Sequence, residues 1–232
     1  MKNKKWILRL AVGLAIVVLA AATCRVTYVP DAVVETYVNE AGETVEVEQL
    51  SAVEQYCADN WDTLILPTIR ERAVDVATFL ADVRADVNAA GQAYGSRANE
   101  TSAWNFCVTG QVGVLDIENA DSANRAQLLL DAAPYDGQAD LKLHFGKVFS
   151  TSVKNAIRDG VGFLRLDDYA NQVEFADLST AFNNKVKETI HEAFTPADLE
   201  GQEIVFYGCI AFQSADVDGL VVIPTELSVA GT

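Results

Sequence analysis

An apolar run from residue 10 to residue 22, continued by Thr23, carries no charge and follows a short basic segment. Lys2, Lys4, Lys5 and Arg9 precede it, and no acid appears before Asp31. As a helix, its roughly 14 residues would extend about 21 Å, short of the ~30 Å hydrocarbon core of a bilayer. The pattern reads as the hydrophobic region of an export signal at residues 1–23. The other reading is an uncleaved anchor that also recruits residues 6–8, with Arg9 reaching the interface. Both readings export the rest of the chain, which must therefore fold outside the cytoplasm.

The charge divides at the same point. The 232 residues hold 17 Lys+Arg against 33 Asp+Glu, a net −16. Beyond residue 23 all 33 acids remain but only 13 basic residues, a net −20. Such a body lacks the basic face that phosphate binding requires, so no nucleic acid partner is expected. With 50% apolar and 22% charged residues the chain is not disordered, and its length suits one ordinary domain or two small ones.

Small residues (Ala20, Ala21, Ala22, Thr23) lead directly into Cys24, which resembles the cleavage box of bacterial lipoproteins, where the cysteine is lipidated and becomes the new N-terminus. Ala21 and Thr23 depart from the usual Leu at −3 and Gly, Ala or Ser at −1. Beyond Cys24 lie Cys57, Cys107 and Cys209, an odd number. At most one intramolecular disulfide can form among them, and buried single thiols are the simpler account. With no CxxC and two histidines, a zinc site has little to be built from.

Residues 24–56 read as an extended lead-in, with a hairpin between 33–38 and the period-two segment 44–48. Over 61–90 the apolar residues Ile69, Ala73, Val76, Leu80, Val83 and Val87 recur at helical spacing, with Pro67 dividing off a first turn or lying in it, and Gly91 as a stop. Strands are expected at 106–114, 127–132, 139–145 and 161–166, with a turn at 134–137. A second helix begins at Asn171, with Glu174 as a capping partner, and carries an i+4 stripe of Leu178, Phe182, Val186, Ile190 and Phe194. Strands at 203–212 and 220–229, joined across Asp216–Gly219, close the chain. The order is helix then strands, twice, with a local echo between residues 106–110 and 205–208. It predicts a mainly β, α+β chain of two small barrel-like units at 57–160 and 161–232, each supported by one helix.

Several segments together resemble an uncharacterised bacterial family, domain-of-unknown-function family 2291, of predicted periplasmic lipoproteins. They are Cys24-Arg25-Val26, Trp61 with Leu66-Pro67-Thr68 and Ala73-Val74-Asp75, and Tyr94-Gly95-Ser96-Arg97 with Asn105-Phe106 and Val108-Thr109-Gly110. Residues 171–177, Ile223-Pro224-Thr225 and Leu227-Ser228-Val229 complete the set. The resemblance covers nearly all of 24–232. It implies tandem OB-like barrels, with exchange of a C-terminal strand as a variant, and an association with sugar-type ABC transport. It brings no activity and no catalytic residues.

The loop before the first long strand is the candidate ligand site. Tyr94, Arg97, Trp104 and Asn105 combine two aromatics with directional hydrogen-bond donors, as carbohydrate sites do. The plainer reading is that the aromatics plug a barrel end and Arg97 pairs with a helix acid. Asn171 and Gln172 are caps or ligand donors. His144 and His191 have no nucleophile or orienting acid nearby in sequence. The loop 214–219 lacks both the first carboxylate and the twelfth-position Glu of a calcium loop and reads as a hairpin turn. Asp116, Glu118 and Asp121 are a solvated acidic loop or a weak divalent site.

No cofactor is expected. The expected role is a non-enzymatic, membrane-tethered accessory or ligand-binding module of the envelope, attached through Cys24 or an uncleaved N-terminal helix and linked to sugar ABC transport, with a small sugar as the candidate ligand. The alternatives are an assembly lipoprotein that binds envelope proteins and a hydrolase using paired carboxylates.

Overall fold

The computed structural model describes residues 34–38, 44–48, 50–212 and 219–231. The leader with Cys24 and the loop 213–218 lie outside the described residues. The chain divides into two units, residues 1–50 and 51–232. In the first, β1 (Val34–Val38) pairs antiparallel with β2 (Thr44–Glu48), as the period-two alternation predicts.

The second unit opens with α1 (Ala52–Asn60). Ser51 and Glu54 form a reciprocal cap there: the Ser51 Oγ accepts from the Glu54 N–H, and the Glu54 carboxylate accepts from the Ser51 N–H at 2.8 Å. A π-helical turn (Trp61–Ile65) leads into α2 (Leu66–Arg72), with Pro67 in its first turn. The expected single helix is then interrupted. Ala73 turns extended, and β3 (Val74–Asp75) pairs parallel with Val108 and Thr109. Asp75 restarts the helix by accepting the N–H groups of Ala77 and Thr78, which begins α3 (Val76–Tyr94).

The strands are β4 (Trp104–Glu118), β5 (Gln127–Asp131), β6 (Leu141–His144), β7 (Glu203–Phe212) and β8 (Val221–Val229). β4 serves two neighbours. Its first ten residues pair antiparallel with β7 and its last ones with β5, with a register shift between Val114 and Asp116 that bends the strand from one partner to the other. β5 pairs with β6, β6 runs parallel to β8, and β8 pairs with β7, so the pairings return to β4. The core fills this ring with Phe106, Val108, Val112, Leu128, Leu130, Leu143, Phe206, Ile210 and Val222, all essentially buried.

Between β6 and β7 lie α4 (Ala156–Gly160), α5 (Gln172–Val186), a second π-helical turn (Lys187–His191) and α6 (Pro196–Leu199). Leu178, Phe182, Val186 and Ile190 are buried as the i+4 spacing predicts, and Phe182 meets Trp61 with ring centroids 5.9 Å apart.

Three expectations differ. Residues 161–166 form no strand: Val161 is buried, Phe163 and Leu166 are exposed, and a 3₁₀ turn (Leu166–Asp168) follows. Gly91 lies inside α3 rather than ending it. The strands assigned to units at 57–160 and 161–232 share one sheet, because β7 pairs with β4 and the C-terminal β8 with β6. A boundary near residue 160 falls within one compact unit.

Candidate functional site

The segment joining α3 to β4 builds a cleft around Arg97. α3 is kinked at Asp86, whose backbone is extended (φ −160°, ψ 105°). The Asp86 carboxylate then caps the second half of the helix, Oδ1 accepting from the N–H of Asn88 (2.8 Å) and of Ala89 (3.1 Å). Asp86 and Asn88, at the kink, line a cleft of about 440 Å³ together with Arg97, Glu100, Ser102 and Trp104 and the apolar Val83, Val87 and Phe212.

Trp104 is fixed by three contacts. Its indole Nε1 donates to the Asn88 Oδ1 at 3.2 Å. Gly91 meets the ring: a Cβ at that position would lie 2.3 Å from Cδ2 and from Cε2. Those are the ring-fusion atoms, so α3 approaches the face of the indole and only glycine permits it. The Arg97 guanidinium lies 4.2 Å from the ring centroid. Trp104 is thus already engaged by Arg97 and by the backbone of α3.

Arg97 makes one further contact, Nη1 donating to the Glu100 carbonyl at 2.9 Å, and forms no ion pair among the described residues. Its other N–H groups are available to the cleft and to a second one of about 260 Å³, lined by Ser96, Asn99, Asp159, Arg165 and Asp167. Arg97 is common to both.

The other sequence candidates lie apart from the larger cleft. Tyr94 packs edge-on against Phe106 with centroids 5.7 Å apart, and its hydroxyl donates to Asp82 at 3.1 Å. Burial, with Asp82 beside it, pushes this phenol up to about 12, so it stays protonated. Asn105 is buried, its backbone bridged to Ser96 and its amide donating to the Ala103 carbonyl. Asn171 caps α5, its Oδ1 accepting from Val173 and Glu174, while Glu174 accepts from the Ala170 N–H. Gln172 is exposed in the first turn of α5. Asp86, Asn88 and Glu100, absent from the sequence candidates, belong to the cleft; the sequence signal was the Asp86-x-Asn88 pattern, a helix cap in mid-helix.

His144 and His191, far apart in sequence, come together with ring centroids 6.4 Å apart among Phe145 and Phe149. All four ring nitrogens are buried and make no hydrogen bond of good geometry among the described residues, although the backbone at Gly146 lies near His144 and that of His144 near His191. Burial is the first cause that lowers each imidazole to about 4, and the Lys187 ammonium adds to it. Both rings are neutral at pH 7. Of the acidic cluster, Glu118 binds Lys142 at 2.9 Å and Asp116 accepts its neighbour's N–H; among the described residues no group of three His, Cys, Asp or Glu is placed to hold a metal.

A family model described as predicted periplasmic lipoprotein (DUF2291) matches residues 14–228. The chain belongs to the DUF2291 family. The matched span starts inside the apolar run and includes Cys24, so this DUF2291 protein is exported to the periplasmic side of a bacterial membrane and tethered there. Among the described residues no helix is long and apolar enough to cross a membrane. A solved OB-fold protein from Thermotoga maritima is similar at 15% identity and a TM-score of 0.62, over 78% of this chain and 99% of that one. That likeness shows the fold: the ring β4–β5–β6–β8–β7 of this DUF2291 protein has the OB-fold strand order. No curated protein matches the sequence.

Proposed function

We propose that the chain is a non-enzymatic binding module of the periplasm, held to the membrane through lipidated Cys24, whose cleft takes a small polyhydroxylated ligand. The observation that carries this reading is Arg97. It is stacked on Trp104, bonded once to a carbonyl, free of acidic partners among the described residues, and lines both clefts. The lining of the larger cleft includes donors (Arg97, Asn88) and acceptors (Asp86, Glu100). A polyol, which donates and accepts at each hydroxyl, complements that mixture, whereas an anion would meet two carboxylates. Recognition then rests on hydrogen bonds rather than on aromatic stacking. The sugar-transport association implied by the family resemblance supports the same ligand class.

The test is a thermal-shift screen of the soluble chain from residue 25 against pentoses, hexoses and their polyols. The reading expects a saturable rise in melting temperature with one ligand class, lost in Arg97→Ala. An equal rise in Arg97→Ala refutes the site. The anchor is tested by lipid labelling, which is lost in Cys24→Ser.

A second reading, docking of envelope proteins, is favoured by Phe163 and Leu166 before α5 and Val173 in its first turn, which stand 38%, 39% and 68% exposed. Its sign would be no response to any polyol together with a cross-linked envelope partner lost in Val173→Asp.

A further inference from the structure

We infer that Cys107 and Cys209 are joined by a disulfide in the exported protein, leaving Cys57 as a thiol. The two cysteines are register partners in the β4–β7 ladder. Directly opposed antiparallel residues have Cα atoms about 4.5–5.5 Å apart, within the 4.4–6.8 Å that a disulfide accepts. Their side chains share a face, both are buried, and the sulfurs lie 3.8 Å apart. Rotation about the Cα–Cβ bonds is what remains to join them. Gly160 of α4 keeps the space open: a Cβ there would stand 3.2 Å from the Cys209 Sγ and 3.7 Å from the Cys107 Sγ.

The two thiols share one buried environment with Gly160 and Arg72. The Cys107 thiol donates to the Gly160 carbonyl, which also accepts from the Arg72 Nε at 3.2 Å. The thiol of Cys209, hydrogen-bonded to the Cys107 sulfur, lowers the pKa of Cys107, and the nearby Arg72 guanidinium lowers it further; that of Cys209 is raised. Both sulfurs are buried in the folded protein, so the bond forms before β4 and β7 close, while the thiols are accessible. The thiolate of one cysteine attacks one sulfur of a disulfide-bearing oxidant in the periplasm, breaking that bond and releasing one oxidant thiolate. The other cysteine then loses its proton and attacks the sulfur of the first, forming the Cys107–Cys209 bond and releasing the second thiolate. Two cysteines are oxidised and one oxidant disulfide is reduced to two thiols. Once β4 and β7 have closed, burial shields the product from reductants. Cys57 sits apart on α1, and burial pushes its thiol up to about 11, so it stays protonated and unreactive.

The experiment uses the full chain exported with its own leader, quenched in acid, denatured and alkylated before or after reduction, with modified positions located by peptide mapping. Among Cys57, Cys107 and Cys209, the expected result is alkylation of Cys57 alone before reduction, of all three after it, and a non-reduced peptide pair containing 107 and 209. Alkylation of all three before reduction, or a cross-link that includes Cys57, overturns the inference.

Discussion

The buried histidine pair makes the fold sensitive to mild acid. His144 is 3% exposed and its imidazole is lowered from 6.5 to about 4, first by burial. Above pH 6.5 both folded and unfolded chains carry it neutral, and the native state has its full stability. As the pH falls below that, the unfolded chain takes up the proton first, and stability is lost until the folded value is reached. At pH 5 the unfolded chain is favoured about 30-fold by this one group, about 2 kcal/mol, approaching about 3 kcal/mol below pH 4. His191, lowered to about 4 by burial and by the neighbouring His144, acts with the same sign. The perturbation that isolates the effect is His144→Phe, an aromatic replacement among Phe145, Phe149 and His191 that cannot be protonated. Urea unfolding at pH 7 and pH 5 gives the stability of both proteins, and the contributions of the carboxylates cancel between them. The wild type is expected to lose about 2 kcal/mol more than the variant over that interval. An equal loss in both would show that His144 titrates normally and that the cluster does not exclude solvent.

The remaining predictions concern the elements that hold the cleft. Gly91→Ala improves helix propensity by about 1 kcal/mol but drives a methyl into the Trp104 ring, so a net loss of about 1–3 kcal/mol in urea unfolding is expected, with a shift in tryptophan fluorescence. Unchanged stability would mean that α3 does not approach the indole face. Asn171→Ala removes the α5 cap and lowers stability by about 1 kcal/mol while leaving any polyol response intact; loss of that response would make Asn171 a ligand contact.

What could be read in the sequence was local. The Asn171–Glu174 cap, the i+4 stripe of α5 and the β1–β2 hairpin all depend on residues close in the chain; the stacking of Arg97 on Trp104 was not read, since Arg97 was expected to pair with a helix acid. What could not be read depended on distant partners. Gly91 carries the mark of a helix stop, but its reason is the Trp104 face thirteen positions on. The apolar residues of 161–166 suit a strand, but every strand position in the ring is already filled by other segments. The echo between 106–110 and 205–208 suggested a repeat. The two segments are instead neighbours in one sheet, Phe106 facing Ile210 and Gly110 facing Phe206, so similar burial selects similar residues. The same pairing places Cys107 opposite Cys209, which no local spacing reveals. The cleft residues Asp86 and Asn88 were hidden because an exposed acid on a helix is ordinary unless the helix kinks there.

The central claim, that this periplasmic module holds a polyhydroxylated ligand in the Arg97 cleft, is tested most directly by mapping backbone amide shifts on titration with the polyol that gives the largest thermal response. Saturable shifts confined to residues 86–88 and 97–104 and to Phe212, absent in Arg97→Ala, are expected. Shifts that map instead to the exposed residues 163–173, or that persist in Arg97→Ala, would contradict it.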